Sequence, residues 1–225
     1  MTARPARSIS ASERVASDLR RMILAGEILP GERIVQEDLA ERFGASRLPV
    51  RDALRLLEAE GLVTLVANTG AWVAKLSLEE CEEVYQIRER VEPLLVRMSV
   101  PGLDAAAIAR LHELVDAMRE TSSIEEFLRL DRDFHSLSYS GAETGMLGDF
   151  VARLWNTTQH YRRAFSEIYG VHTNRAVHLE HELLVLAIER GDVDEAERIV
   201  HAHIRRTRLS LAQHPEIFQE AGSPD

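Results

Sequence analysis

The chain has 225 residues, of which 45% are hydrophobic and 28% are charged, as in an ordinary soluble globular protein. No run of about 18 apolar residues is present and the N-terminal segment lacks an apolar core, so neither a membrane span nor a secretory signal is predicted. Cys81 is the single cysteine, which excludes an intrachain disulfide framework and a multi-cysteine zinc site. These features favour a cytoplasmic protein with no membrane partner.

The net charge of -10 is unevenly distributed along the chain. Residues 1–76 carry 11 basic and 10 acidic side chains, a net of +1, whereas residues 77–225 carry 16 and 27, a net of -11. This asymmetry indicates two domains with different partners. We expect a flexible arm over 1–10, one domain over 11–76, a second over 77–213 and a disordered tail over 214–225.

Three helices are predicted in the first domain. A capping box that starts at Ser10 precedes an apolar helical spacing, and this first helix should end at Gly26. A short second helix is predicted over 35–43 and a third over 46–60, each followed by a glycine.

The third helix has an apolar face and a basic one. Arg47, Arg51 and Arg55 lie at i, i+4 and i+8, with no acid on that line, while the apolar residues fall on the other side. A helix with such an arginine stripe fits the DNA major groove, where arginine contacts guanine edges and phosphates. The alternative is a solvated arginine face, and the stripe alone does not exclude it.

A hairpin follows the third helix. Residues 61–66 are predicted as a strand, 67–70 as a turn and 71–74 as a returning strand. Three helices followed by a hairpin are the element order of a winged helix-turn-helix. The small, polar tip around Asn68 and Gly70 can approach a phosphate or the minor groove.

Residues 11–76 resemble the DNA-binding domain of the GntR family of bacterial transcription regulators. The resemblance is carried by Pro30-Gly31-Glu32-Arg33 and by the long string from Asp38 to Val63. It implies contacts to double-stranded operator DNA from Arg33, Arg47 and Arg51, with Gly70 at the wing tip. Leu48 stands where many members have threonine, so one polar contact is missing here.

The second domain is predicted to be an all-α bundle of six or seven helices. Capping residues and glycine breaks place six helices at about 77–98, 105–120, 123–138, 149–168, 174–190 and 192–213, with a glycine-rich break from Gly141 to Gly148. The fold class is therefore mostly α, a winged helix-turn-helix followed by a helical bundle.

All nine histidines lie in this second half. Asp131 and His135 share one helix face at i and i+4, and imidazoles from two further helices could join them around one ion. Such donors suit Zn²⁺, Ni²⁺, Mn²⁺, Fe²⁺ or Co²⁺. Ordinary core and surface histidines are the alternative, which the spacing leaves open.

Residues 78–213 resemble the FCD ligand-binding domain of the FadR subfamily. The matching pieces include Leu130 to His135, His181-Glu182, Gly191-Asp192 and Ala202-His203. The resemblance implies a divalent metal ion held by Asp131, His135, His181 and His203. His178 and His201 fall outside this ligand set.

A divalent ion with one carboxylate and three neutral imidazoles keeps positions open for a carboxylate, so the bundle is predicted to bind a small organic acid effector. Arg88 is a second candidate anchor, through a bidentate contact that the resemblance favours. Its alternative role is a surface ion pair with Glu92 at i+4. Asn156 and Tyr161 are further candidates for lining the effector pocket.

These features together predict a metabolite-responsive transcription regulator. Two winged helices in a homodimer would bind a palindromic operator, and effector binding would release the DNA, as in a repressor. The alternative is a metal-dependent hydrolase, because a metal-bound water is a nucleophile. The His-Glu-x-x-His, Walker A and Gly-x-Ser-x-Gly strings are absent, and we therefore expect no enzyme.

Overall fold

The computed structural model describes residues 10–67, 69–171 and 174–218. The chain forms two compact units that divide between Lys75 and Leu76. Residues 1–9 of the predicted arm, the wing-tip residue Asn68 and residues 219–225 of the predicted tail lie outside the described residues.

The first unit contains three helices and a small sheet. Its elements are α1 (Ala11–Leu24), β1 (Arg33–Ile34), α2 (Gln36–Arg42), α3 (Arg47–Ala59), β2 (Val63–Val66) and β3 (Gly70–Val73). The capping box at the start of α1 is present, with Ser10 and Glu13 each accepting from the other's backbone N–H. The apolar face of α3 is buried against α1, as its periodicity predicts.

The sheet has the order β1-β3-β2, with both pairs antiparallel. The predicted hairpin of β2 and β3 is therefore present. β1 was not predicted, because two residues are too short to show a strand period. It exists only through its pairing with β3, where Arg33 lies opposite Trp72.

The second unit is a bundle whose α-helices, in the part that the structure describes, number six: α4 (Leu78–Ser99), α5 (Ala105–Glu120), α6 (Ile124–Ser138), α7 (Met146–Tyr169), α8 (Arg175–Glu189) and α9 (Val193–Leu211). Two 3₁₀ turns, Val100–Gly102 and Pro215–Phe218, flank them. Side chains of Ser77, Asp104, Ser123 and Asp192 cap four of these helices as their positions predict.

Two expectations for this unit were wrong. The glycine-rich break ends earlier than predicted, because α7 begins at Met146 and includes Gly148. The tail is ordered as far as Phe218, whose ring stacks on Tyr161 with centroids 4.7 Å apart and an interplanar angle of 13°. This apolar contact comes from a distant helix, so the polar composition of the tail did not reveal it.

Packing of the helices brings three buried faces to one place. α6 packs against α5 and α7, while α8 packs against α5 and α9. Phe134 on α6, Leu184 on α8 and Ile204 on α9 are nearly fully buried, so these faces meet in the core. No helix among the described residues is both long enough and apolar enough to cross a membrane.

Candidate functional site

The arginine stripe of α3 lies on an exposed face. Arg47 Nη2 is 3.0 Å from Glu37 Oε1, and Arg55 Nη1 is 3.8 Å from Asp52 Oδ1. The line of Arg47, Arg51 and Arg55 on α3 carries no acid, but Glu37 reaches Arg47 from α2. Exposed pairs of this kind contribute only about 0–1 kcal/mol, so a phosphate can displace them.

The wing brings Arg33 and Gly70 together. Arg33 Nη2 donates to the carbonyl oxygen of Thr69 at 3.2 Å, and its guanidinium carbon lies 5.9 Å from the centre of the Trp72 ring. Gly70 has φ of +137°, and a Cβ there would lie 3.6 Å from Arg33 Nε. The strand therefore requires glycine at the position where it turns beside this arginine.

Three histidines from three helices form a cluster in the core of the second unit. His135 of α6, His181 of α8 and His203 of α9 have ring centroids 5.0 to 5.3 Å apart. One nitrogen from each ring lies within 4.8 Å of the other two. The structure thus brings together three residues that are 22 or more positions apart in sequence.

Asp131, the fourth predicted ligand, lies beside two of the three histidines, but among the described residues the donors that lie within 4.8 Å of one another are the three histidines alone. The carboxylate of Asp131 is 2% exposed, and Oδ1 lies 3.2 Å from His181 Nε2 and 3.9 Å from His135 Nε2. The other oxygen, Oδ2, accepts a short hydrogen bond from Arg162 Nη2. One carboxylate oxygen therefore faces the imidazoles while an arginine holds the other.

Several nitrogens of the cluster lack hydrogen-bond partners among the described residues. His135 Nε2 and both ring nitrogens of His181 are buried without a hydrogen bond. An unsatisfied buried polar atom costs about 1–3 kcal/mol. The arrangement is therefore poor for a purely structural core and fits a site whose donors bind a cation.

The Nδ1 atoms of His135 and His203 have hydrogen-bond partners that determine which ring nitrogen carries the proton. His135 Nδ1 lies 3.3 Å from the hydroxyl of Tyr139, which itself donates to Glu92 Oε2 at 2.7 Å. His203 Nδ1 lies 2.8 Å from Glu180 Oε2. Because these partners accept from Nδ1–H, the Nε2 lone pair of each ring remains available, as in metal sites with ordered outer partners.

The ionisation states of the histidines and of Asp131 also suit metal binding. Burial lowers the pKa of His135 well below its usual value and also lowers the pKa of His203, so both rings are neutral near pH 7. Burial is the largest influence on Asp131 and opposes its ionisation, but Arg162, His181 and His135 together outweigh burial and hold the pKa of that carboxyl well below its usual range. Neutral imidazole and ionised carboxylate are the forms that bind a metal.

The carboxyl group of Glu180 is also kept ionised by its hydrogen-bond partners. Burial works against its charge, but hydrogen bonds from Arg206 and His203 lower the pKa of Glu180 to about 2. The partners of the predicted ligands were not predicted from the sequence; they are Tyr139, Arg162 and Glu180. Glu180 precedes His181 directly, yet it contacts His203 on another helix, and no local pattern shows such a pair.

The remaining histidines named in the sequence analysis lie outside the cluster. His178 Nε2 is 2.7 Å from the carbonyl oxygen of Val171, and His201 Nδ1 is 2.9 Å from that of Glu89. Neither is among the three donors of the described residues that lie within 4.8 Å of one another.

Arg88 is buried rather than placed on the surface. Its Nε donates to Glu92 Oε1 at 2.5 Å and its Nη1 to Thr158 Oγ1 at 3.0 Å. Glu92 is 0% exposed and also accepts from Trp155 Nε1 at 2.9 Å. The ion pair expected at i+4 therefore exists, but in the core.

The other two predicted effector residues also have different partners. Asn156 Oδ1 accepts a short hydrogen bond from Arg132, and the hydroxyl of Tyr161 bonds to both backbone groups of Leu76, at 2.6 and 2.9 Å. Arg88, Asn156 and Tyr161 do not line the two cavities described next. Their role in effector binding stays a prediction.

Two cavities are lined by residues of the histidine cluster or by residues that contact it. The smaller, of about 40 Å³, is lined by Asp131, Arg162 and His203 together with mainly apolar residues. The larger, of about 270 Å³, is lined by Arg132, Tyr139 and Trp155 among others. We call them the metal-side cavity and the Trp155-side cavity.

Comparisons with known proteins agree with both units. Residues 11–73 match the model of bacterial regulatory proteins of the gntR family, and residues 83–206 match the FCD domain. An HTH-type transcriptional regulator from an unstable DNA locus of Streptomyces ambofaciens is 31% identical over 208 residues, which cover 89% of this chain and 86% of that protein.

Two further proteins are similar over most of their length. The HTH-type transcriptional repressor RspR of Escherichia coli K12 is 26% identical over 199 residues, 87% of this chain and 86% of that one. The solved structure of E. coli McbR/YncC has a TM-score of 0.81 at 22% identity, covering 92% and 99% of the two chains, and shows the same fold. The chain therefore belongs to the gntR family of bacterial regulatory proteins and is a DNA-binding transcriptional regulator with an FCD domain.

Proposed function

We propose that this regulator is a metabolite-responsive repressor that acts in the cytoplasm. Its helical unit binds one divalent metal ion and a small carboxylic acid, and these control its affinity for operator DNA. The observation that carries the proposal is the convergence of three imidazoles, two of which have buried nitrogens without hydrogen bonds among the described residues. Asp131 Oδ1 lies 3.2 Å from the Nε2 atom of one of them, His181.

DNA recognition is assigned to α3 and the wing. Arg47 and Arg51 lie on the exposed face of α3, where they would reach the major groove. Arg33 and Gly70 are adjacent in the wing, where a guanidinium beside the backbone of a half-buried glycine suits a phosphate or the minor groove.

The metal is assigned to Asp131, His135, His181 and His203. A donor set of three imidazole nitrogens and one carboxylate oxygen suits Zn²⁺, Ni²⁺, Mn²⁺, Fe²⁺ or Co²⁺. When bound, such an ion supplies positive charge and open coordination positions next to the metal-side cavity. That combination suits the carboxylate of a small organic acid.

The proposal includes a homodimer. A two-fold operator needs two recognition helices in one assembly. The surface of α4 that suits contact with a second copy is an apolar row at helical spacing, made of Ile87, Val91, Leu94 and Met98. Three of these residues are well exposed: Ile87 by 41%, Leu94 by 46% and Met98 by 44%. Because they lie in one row on the helix, they form an apolar patch, and such patches mark contacts between proteins. We propose repression rather than activation because the E. coli relative RspR is a transcriptional repressor.

Metal content of purified variants tests the proposal. We expect roughly one ion per chain in the wild type after incubation with Zn²⁺, and loss of that ion in His181→Ala. His178→Ala is the matched control, because His178 lies one turn earlier on α8 and outside the cluster. Full occupancy in His181→Ala, or no ion in the wild type, would contradict the assignment.

A further inference from the structure

We infer that Leu48 selects thymine in the operator, through contact of its side chain with the C5 methyl group of that base in the major groove. This inference rests on the proposed function, in which α3 enters the groove. It gives a base preference to a position where the sequence pattern predicted only the loss of a polar contact.

Leu48 lies at the middle of the exposed face of α3. The opposite, buried face of this helix is formed by Val50, Ala53, Leu54 and Leu57. Since an α-helix has about 3.6 residues per turn, Leu48 and Arg55 fall almost opposite the middle of that buried row. Leu48 is 58% exposed, so its side chain is largely open to solvent in the first unit.

Arginines flank this leucine on the exposed side of the helix. Arg47 precedes it directly, Arg51 follows about one turn later, and both are exposed. Arginine side chains reach phosphates and guanine edges, so these two would hold α3 in the groove. Leu48 lies in the first turn of α3, and it is the N-terminal residues of a recognition helix that contact base edges. With Arg47 and Arg51 on the DNA, Leu48 faces the bases.

The chemistry of the leucine side chain limits which base it can face. It has no hydrogen-bond donor or acceptor, and the apolar group that an unmodified base pair presents in the major groove is the C5 methyl group of thymine. Opposite a G·C pair, the leucine would remove water from polar base atoms without replacing their hydrogen bonds, which is unfavourable. Leu48 therefore favours thymine and disfavours G·C pairs at one position of each half-site.

A second exposed leucine on α3 provides a contrast. Leu56 is 43% exposed, but it lies in the C-terminal half of the helix, beyond the turn that would meet the bases. Single exposed apolar residues of this kind are common on protein surfaces. Leu48 differs from Leu56 by its place in the first turn, next to Arg47 and Arg51. Leu56 is therefore the matched control.

Duplexes that contain deoxyuridine test the contact, because deoxyuridine differs from thymidine only by the missing methyl group. The probe is the duplex that the full-length wild type selects from a random-sequence pool, and fluorescence anisotropy measures its affinity. Each thymine is replaced in turn by deoxyuridine. We expect one thymine in each half-site at which the replacement weakens binding by about fourfold, which corresponds to one buried methyl group.

A double-mutant cycle identifies the residue that makes the contact. In Leu48→Ala, deoxyuridine at that thymine should weaken binding by less than about twofold, because alanine is too short to cover the methyl group. In Leu56→Ala the wild-type loss should remain. A loss that persists in Leu48→Ala, or that also disappears in Leu56→Ala, would overturn the inference.

The other outcomes separate this inference from the proposed function. A general defect of Leu48→Ala would weaken binding to every duplex by the same factor and leave the deoxyuridine loss in place, which counts against the methyl contact. If the wild type binds its selected duplex but no thymine shows the loss, the inference fails and the proposed function stands. If the wild type selects no sequence from the pool, α3 reads no bases and the proposed role of α3 fails as well.

Discussion

At the scale of single residues, Glu92 shows how a buried charge supports a site that it does not enter. Its carboxylate accepts from Arg88, Tyr139 and Trp155, and Tyr139 in turn contacts His135. The carboxylate thus fixes both an arginine in the core and the hydroxyl that orients a predicted metal ligand. Removing its charge should affect stability and the site together.

We expect Glu92→Gln to lower the free energy of unfolding by about 3–5 kcal/mol, because the buried Arg88 loses its counter-charge. Urea unfolding followed by circular dichroism measures this. Glu126→Gln removes half of an exposed pair with Arg129 and should leave the unfolding curve unchanged. Equal curves for the wild type and Glu92→Gln would contradict the role of the buried pair.

Cys81 offers a second test at this scale. The residue is 1% exposed, and burial raises the pKa of its thiol to about 12. At pH 8 the thiol is therefore protonated and shielded, and a thiol reagent such as dithionitrobenzoate should not react with the folded protein. Reaction should become complete in urea. Rapid stoichiometric reaction without denaturant would show that α4 opens at this point.

At the scale of elements, α3 and the wing are the two parts of the first unit that we propose bind DNA. α3 presents its arginines on an exposed helix face, while the wing places Arg33 next to a glycine with positive φ. Helix and wing belong to one unit whose core is formed by the opposite faces of the same elements. Substitutions on the exposed arginines should therefore change DNA binding without changing the fold.

We expect Arg47→Ala and Arg51→Ala each to weaken operator binding by about 1–3 kcal/mol if these side chains contact bases. Fluorescence anisotropy with operator and random duplexes distinguishes base contacts from phosphate contacts, since only the former lower specificity. Arg110→Ala is the control, because this exposed arginine lies on α5 in the other unit. Unchanged operator affinity in both α3 variants would contradict the assignment of α3 as the recognition helix.

At the scale of the whole molecule, a ligand that binds only the folded helical unit stabilises it. The linkage contributes about 2.7 kcal/mol when the free ligand is at 100 times its dissociation constant. A metal that joins α6, α8 and α9 should therefore raise the unfolding temperature of that unit.

Chelation tests this directly. We expect the melting temperature to fall after treatment with EDTA and to recover when Zn²⁺ is added back. In His181→Ala, EDTA should have no effect, because one of the predicted ligands is missing. Superimposable wild-type melting curves with and without EDTA would show that no metal contributes to the folded state.

Much of the fold was predictable because its determinants are local. Ser10, Ser77 and Asp104 each accept from a backbone N–H three residues away, so a short string of sequence predicts the helix start. The apolar face of α3 follows from its period alone. β1 was not predicted, because a two-residue strand depends entirely on its distant partner β3.

The candidate metal ligands were predictable from residue types and from the resemblance to a family, and the structure brings them together. Their outer partners were not predictable. Arg162 meets Asp131 across 31 positions and Glu180 meets His203 across 23, each from a different helix. The predicted effector residue Tyr161 instead bonds to Leu76, 85 positions away.

The sequence by itself therefore determined the helices, the wing hairpin, the two-unit organisation and the set of histidines, because capping and periodicity act over a few residues. Only the packed helices show which arginine neutralises each buried acid and which of these arginines borders a cavity. Electrostatic pairing in a core depends on distances between side chains from different helices, and those distances are set only when the helices pack.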